Sequence, residues 1–348
     1  MTRRPLDFAS LLLLLTILVA CAAPLAPTPL PTATAAPATT LTASPAPSPT
    51  PSPTATATSL PALTVTPTPT ITLTPRPVAK RVLIVSFDGL RPEAIFNAPM
   101  ENLLALMDQG AFSLQAQTTY PSATLPGHAS MLTGLCPAQH GVDWNDYLPH
   151  NGYALGTDLF DLAHAAGLQT VMYVGKEKLR QVTESTDIFE FIADRDRVIA
   201  ERLLASFPAD FGVLFVHFPT ADWMGHLYGW LSPEQFSVLR RGDEALGMIL
   251  TRLDELGIRD ETLIIVTADH GGHDSEHGAT LPADMTIPWI ISGPGVRQGG
   301  LLTRVFTMDT AATAAWALDL PIPPDWDGLP ILEAFGSPAV ERPAEVCP

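Results

Sequence analysis

Three cysteines in 348 residues are too few for a disulfide scaffold. With 19 Lys and Arg against 36 Asp and Glu, no basic surface is available on which nucleic acid would dock. Acids are themselves missing from one long stretch: between Ala22 and Lys80 there is no Asp or Glu, and Pro, Thr, Ala and Ser make up nearly everything. Such a segment cannot bury enough apolar surface to offset the entropy of ordering it, so residues 22–79 read as a disordered linker. Beyond the N-terminus no apolar run is long enough to cross a bilayer. What remains, residues 80–348, suits one large α/β domain. Its acidity still allows an anionic ligand, because bound metal ions reverse the local potential.

The first 21 residues read as an address. Met1-Thr-Arg-Arg4 is a positive n-region, and Leu11 to Val19 is an apolar run too short for a stable span, as in a secretory signal. The run ends Leu18-Val19-Ala20-Cys21, which resembles the lipobox of bacterial lipoproteins, where the cysteine becomes the lipidated first residue. On this reading residues 1–21 are a lipoprotein signal peptide. Residues 22–79 are then a polyproline-like tether, and the domain is exported and anchored to the cell envelope through Cys21 on the extracytoplasmic side.

Within the domain, apolar β-rich runs alternate with helical patterns. Strands are expected at Arg81–Ser86, Gln169–Val174, Phe211–Phe218, Thr262–Thr267 and Thr286–Ile291. Helices are expected at Met100–Gln109, around Arg195–Ser206, from Pro233 to about Leu256 and near Asp309–Leu318. This alternation argues for a mostly parallel sheet sandwiched by helices, whose site lies at the carboxyl ends of the strands.

Three of those strands run straight into polar clusters. After Leu83-Ile-Val-Ser-Phe comes Asp88-Gly89. After Leu214-Phe-Val-His-Phe comes Pro219-Thr-Ala-Asp222-Trp-Met-Gly-His226. After Leu263-Ile-Ile-Val-Thr-Ala comes Asp269-His270-Gly-Gly-His273-Asp-Ser-Glu-His277. Each cluster alone reads as well as a turn or polar loop; three at one edge of a sheet do not. Carboxylates mixed with imidazoles favour zinc or a similar transition metal over Mg2+ or Ca2+. A fourth segment, Tyr120-Pro-Ser-Ala-Thr124-Leu-Pro-Gly-His128, opens a helix at Thr124 with Pro126 in its first turn. A hydroxyl there suits either an attacking oxygen or a plain helix cap.

As a set, these residues resemble the alkaline phosphatase superfamily, specifically its type I phosphodiesterase/nucleotide pyrophosphatase branch, from about Arg81 to Phe335. The resemblance implies two zinc ions, other divalent transition metals being alternatives. One would be held by Asp88, Thr124, Asp269 and His270, the other by Asp222, His226 and His277, with His277 preferred to His273 as the last ligand. It implies Thr124 as the nucleophile of a phospho-threonine mechanism, with Asn145 and the Leu125 N–H on the phosphoryl oxygens and a small phosphate ester as substrate. His128 and His140 are expected to bond within the nucleophile segment.

The metal set alone does not separate a phosphodiesterase from a phosphomonoesterase or a phosphoglycerol or phosphoethanolamine transferase. A non-catalytic surface-binding lipoprotein is the reading from another class. A sulfatase is disfavoured because Thr124-Leu-Pro-Gly-His128 has neither the Cys/Ser nor the Arg of a sulfatase's Cys/Ser-x-Pro-x-Arg segment. One neutral donor, Asn145, and no arginine between Thr119 and Leu179 point to diesters or pyrophosphates ahead of monoesters. Leu125 and His217 stand where nucleotide-cleaving members stack the base between aromatics, so little base selectivity is expected. With Cys21 lipidated, Cys136 and Cys347 are the thiols left to pair in an oxidising compartment.

Overall fold

The structure, a computed structural model, describes residues 78–347. The signal, the lipobox with Cys21 and nearly all of the linker lie outside the described residues. Val78 and Ala79, assigned to the linker by composition, already belong to the domain: both backbone N–H groups donate to the Ala317 carbonyl. No described helix is long and apolar enough to cross a membrane.

The strands are β1 (Arg81–Phe87), β2 (Ala111–Gln117), β3 (Gln169–Val174), β4 (Ile188–Phe191), β5 (Phe211–Phe218), β6 (Thr262–Thr267), β7 (Thr286–Ser292) and β8 (Gly299–Gly300). They form one mixed sheet in the order β4-β3-β5-β1-β6-β7-β2-β8. The five strands from β4 to β6 are mutually parallel, and β7 is antiparallel to both β6 and β2. The central strands β1, β5 and β6 are almost wholly buried, as their near-continuous Val, Ile, Leu and Phe runs require of strands covered on both faces. The β2 run AFSLQAQ was not read as a strand: it has little β-branched content, and its pairing with β7 is interrupted by a bulge.

Among the described residues ten helices flank the sheet: α1 (Pro92–Asn97), α2 (Glu101–Gln109), α3 (Thr124–Thr133), α4 (Pro137–His140), α5 (Leu159–Ala165), α6 (Asp196–Ala205), α7 (Thr220–Tyr228), α8 (Pro233–Glu255), α9 (Pro282–Met285) and α10 (Asp309–Ala317). The longest, α8, starts where Ser232 Oγ accepts the Gln235 N–H at 3.2 Å, with Pro233 in the first turn. It buries Val238, Leu239, Leu246, Ile249 and Leu253 at helical spacing. Asp243 on the same face accepts the Asn102 and Leu103 N–H groups, both at 2.9 Å. A side chain of one helix thus caps the start of α2, whose own cap residue Met100 supplies none.

Two features of this topology create the site. The carboxyl ends of β3, β5, β1 and β6 all lie at one edge. Because β7 reverses direction, the chain between β6 and β7 leaves from that edge and returns to it.

Candidate active site

The register aligns Val174, His217, Ser86 and Thr267 in one row across β3, β5, β1 and β6. Two residues beyond that row the chain presents Lys176, Asp88 and Asp269. From β5 it continues through Pro219 into α7, where Asp222 and His226 are four residues apart and therefore on one helical face. Facing them is the start of α3. Its cap residue is Ala123, and Thr124 is the first helical residue, fully buried, so Thr124 is not a helix cap.

The imidazoles share one arrangement. His270 Nδ1 donates to the Gly271 carbonyl (2.7 Å), His277 Nδ1 to that of Ser122 (2.9 Å) and His226 Nδ1 to that of Ser275 (2.9 Å). Each backbone bond fixes the ring and turns Nε2 toward carboxylates. His270 Nε2 is 3.4 Å from both Asp88 Oδ1 and Asp269 Oδ2; His277 and His226 Nε2 lie 3.7 and 3.4 Å from Asp222 Oδ1. His270 and His277 stack with ring centroids 3.8 Å apart.

Asp88 Oδ1, Asp222 Oδ1, Asp269 Oδ2 and His270 Nε2 are all buried without a hydrogen-bond partner. Burying such atoms unpaired is costly, and four of them pointing at one another make a set that a cation completes. Two groups have ligand atoms close enough to hold an ion: Asp88, Asp269 and His270, and Asp222, His270 and His277. His226 sits at the rim of the second group, half-exposed, rather than inside it. His273 points elsewhere, to Asp284 Oδ1 at 2.7 Å.

The local pKa values express the same crowding. Burial, reinforced by the Asp88 carboxylate, raises Asp269 to about 6. Burial opposes charge on His270, yet the Asp269 and Asp88 carboxylates pull it up to about 9. Three carboxylates in one buried space hold positive charge wherever they can find it.

One source of that charge was missed in reading the sequence. Lys176 Nζ lies 2.6 Å from Asp88 Oδ2, 2.6 Å from Asp222 Oδ2 and 3.0 Å from Thr124 Oγ1. Burial opposes its ionisation, but Asp88, Asp222 and Asp269 together outweigh burial and hold its pKa above the ordinary lysine value. Gly175 makes the approach possible: a Cβ there would stand 2.2 Å from Pro219 Cγ, so a larger residue would hold the ends of β3 and β5 apart. Lys178 Nζ binds both oxygens of Asn145, the backbone one at 2.7 Å and Oδ1 at 3.0 Å. The available signal was position, since Gly175-Lys176-Glu177-Lys178 follows a strand just as Asp88 and Asp269 do.

Asn145 Oδ1 also accepts the Leu125 N–H at 2.9 Å. That N–H, expected to face a phosphoryl oxygen, is thus engaged by Asn145, and the Asn145 Nδ2 amide is the donor left to the site. Two further expectations resolve beneath the surface. His217 is fully buried behind Asp88, accepting the Gly175 N–H on Nδ1 (3.2 Å) and donating from Nε2 to Asp88 Oδ2 (2.8 Å). It orients a carboxylate and lines no cleft. His128 Nδ1 bonds the Thr124 carbonyl at 2.7 Å, and His140 Nε2 pairs with Ser130 Oγ at 2.9 Å. The disulfide Cys136–Cys347, with Cα atoms 5.4 Å apart, ties the C-terminal tail to the turn between α3 and α4.

The family model described as Type I phosphodiesterase / nucleotide pyrophosphatase matches residues 82–157 and 163–281, more than half of the chain. The chain belongs to that family. Among curated relatives of this phosphodiesterase-family chain, human ectonucleotide pyrophosphatase/phosphodiesterase family member 5 is 27% identical over 221 residues, 56% of this chain and 46% of the relative. The human GPI ethanolamine phosphate transferase 2 catalytic subunit is 29% identical over 295 residues, 77% of this chain and 29% of the relative. The chain therefore spans less than half the length of either. Among solved structures, murine ectonucleotide pyrophosphatase/phosphodiesterase 5 superposes with a TM-score of 0.60 at 16% identity, covering 70% of this chain and 96% of that one. A 2-O glycosaminoglycan sulfatase, BT1596, reaches 0.63 at 14% identity, covering 76% of each. At these identities the structural matches establish the alkaline phosphatase-like fold, which a phosphodiesterase-family chain and sulfatases share.

Proposed function

We propose that the chain is a zinc-dependent phosphoric ester hydrolase, acting on phosphodiester or pyrophosphate linkages through a phospho-threonine on Thr124. The observation that carries this reading is the convergence of three buried carboxylates and three backbone-oriented imidazoles at one sheet edge, with the Thr124 hydroxyl joined to two of those carboxylates through Lys176. The residues fit two zinc ions: Asp88, Thr124, Asp269 and His270 would hold one, and Asp222, His226 and His277 the other. Zinc in such a site lowers the pKa of a hydroxyl or water and draws charge from phosphoryl oxygens.

The chain's own groups supply the rest. Thr124 stands at the N-terminus of α3, where the helix dipole favours developing negative charge on Oγ1. The Lys176 ammonium, 3.0 Å away, stabilises that charge further. Asn145 offers Nδ2 to a non-bridging oxygen. Attack forms the Oγ1–P bond and breaks the bond from phosphorus to the leaving oxygen, which gains overall the proton that Oγ1 gives up. Water then attacks phosphorus, breaks Oγ1–P and returns the threonine. A solved structure of the murine relative described as an inactive threonine-to-alanine variant in complex with AMP supports both the nucleophile type and a phosphate-ester ligand.

Zinc-loaded chain should hydrolyse nitrophenyl phosphate esters. Thr124→Ala should abolish turnover with metal content retained, and Thr124→Ser should keep part of it. An alanine variant with near-normal rate would end this reading. The breadth of the match to the ethanolamine phosphate transferase favours a second outcome, transfer of the phosphoryl group to an alcohol instead of water. Product analysis in the presence of ethanolamine separates the two.

We propose further that the domain works outside the cytoplasm, tethered through lipid on Cys21. The N-terminal signal pattern supports this, as does a disulfide that suits an oxidising compartment. Protein soluble after cell fractionation of its native host, with Cys21 unmodified, would refute it.

A further inference from the structure

We infer that His273 and Asp284 are positioning residues for the second ion: they clamp the turn that aims His226 and His277, and so set how tightly that ion is held relative to the first. The inference rests on the zinc reading of the site. By spacing alone His273 and His277 are rival ligands. The structure turns His277 toward Asp222 and His273 away, to Asp284.

The clamp is a single carboxylate. Asp284 is fully buried; its Oδ1 accepts from His273 Nδ1 at 2.7 Å and its Oδ2 accepts the Ala279 N–H at 2.9 Å. A carboxylate only accepts, so the imidazole donates from Nδ1. The two oxygens thus hold both ends of the segment His273–Ala279, with His277 between them. Backbone bonds fix Asp284 from the other side. Its carbonyl accepts the Gly271 N–H at 2.7 Å, and that of Ala283 accepts the Gly272 N–H at 2.9 Å. A Cβ at Gly271 would stand 2.0 Å from the Ala283 carbonyl oxygen, so a larger residue would push this loop off α9.

The clamped segment serves both imidazoles. His273 and Glu276 exchange backbone hydrogen bonds at 2.9 and 2.8 Å, closing a turn around Asp274 and Ser275. The Ser275 carbonyl is the one that accepts from His226 Nδ1, and the Asp274 carbonyl accepts the Trp230 N–H at 2.7 Å. The Trp230 ring stands edge-on to both rings, its centroid 5.1 Å from that of His226 and 5.9 Å from that of His277. His277 itself follows the turn directly. Ser122, whose carbonyl accepts from its Nδ1, donates from Oγ to the Ala279 carbonyl at 2.7 Å.

The first ion's residues are held by other means. Asp88 is oriented by His217, and His270, common to both groups, by the Gly271 carbonyl. Neither bond involves the His273 side chain. Removing that imidazole leaves one oxygen of a buried carboxylate without its donor and frees one end of the segment. The loss should fall on the second ion.

Zinc binding by the full chain tests this. After zinc loading and gel filtration the parent should keep two ions per chain and His273→Ala one. In competition with a chromophoric chelator, the alanine variant should show one site about 10–100-fold weaker and the other within about threefold of the parent. His273→Asn, whose Nδ2 amide can donate to Asp284 in place of Nδ1, should keep most of the affinity. Turnover of a nitrophenyl phosphate ester by the alanine variant should fall at low free zinc and recover as zinc rises, which a general loosening of the fold would not do. Should alanine not fold, His273→Leu, closer in bulk and without a donor, carries the same expectation. Equal weakening of both sites, an unchanged second site, or an asparagine variant as weak as the alanine one overturns the inference and leaves the zinc reading standing. A parent that binds no transition metal overturns the zinc reading and this inference with it.

Discussion

Replacing Gly127 with alanine isolates the grip between the helix that opens at Thr124 and the loop that carries Asp269 and His270. Gly127 lies three residues after Thr124, on the same face of α3, where the Asp269 backbone crosses. A Cβ at Gly127 would stand 2.6 Å from the Asp269 carbonyl oxygen, 3.2 Å from its carbon and 3.3 Å from the Asp269 Cβ. Ordinary contact begins at 3.4 Å, so helix and loop must part by about 0.8 Å. The Thr118 hydroxyl hydrogen-bonds the same carbonyl, which resists the shift. That separation moves Thr124 Oγ1 away from the Asp269 and His270 ligand atoms. A misplacement near 1 Å in such a site costs roughly 100-fold, or about 2.7 kcal/mol of barrier. Stability should respond far less, because alanine gains about 1 kcal/mol of helix propensity against an overpacking cost of about 1–3 kcal/mol. The expected result is a kcat about 100-fold lower with a melting temperature within a few degrees of the parent. A kcat within threefold of the parent would show that the loop and helix do not set each other's position.

Chelation should abolish activity and added Zn2+ restore it, while Asp269→Ala should lower metal content below the proposed two ions per chain, as measured by plasma mass spectrometry; active protein free of transition metal would refute the site. Serine at both Cys136 and Cys347 should destabilise the domain by up to about 5 kcal/mol, from opening a loop that spans a sequence separation of 211 residues, and calorimetry with and without reductant reads it. His140 is held by burial at a pKa of about 4, with Nδ1 accepting the Val142 N–H at 3.1 Å. Its folded value lies below its unfolded one, so this stability is complete above about pH 6.5 and is lost as pH falls toward 4. That is about 3 kcal/mol in all, and His140→Gln should flatten the dependence in denaturant titrations.

Much of the fold was legible because the strands are short, apolar and punctuated. Gln169–Val174, Phe211–Phe218 and Thr262–Thr267 carry the same bounds in sequence and structure, since buried parallel strands leave no polar alternation to blur their ends. Asp88, Asp222, Asp269 and His270 were legible for a related reason: a charged residue just past a buried strand has little else to do at a sheet edge. What sequence could not convey was orientation. Nothing in the spacing of His226 and His277 shows that backbone carbonyls turn their Nε2 atoms toward Asp222, or that Asn145 closes on the Leu125 N–H.

The lysines were hidden by a different kind of information, the order of the strands. Lys176 follows β3, and a sequence separation of 46 residues lies between it and Asp222, with about ninety to Asp88 and to Asp269. Only the order β3-β5-β1-β6 brings these strand ends to one stretch of the sheet edge, where Lys176 reaches across the end of β5 to Asp88, and only the register shows Lys176, Asp88 and Asp269 each two residues past one row. A carboxylate buried at that edge needs either a cation from solvent or one from the chain. Acids and imidazoles mark in the sequence where positive charge must go; the sheet order decides that the chain brings part of it on Lys176.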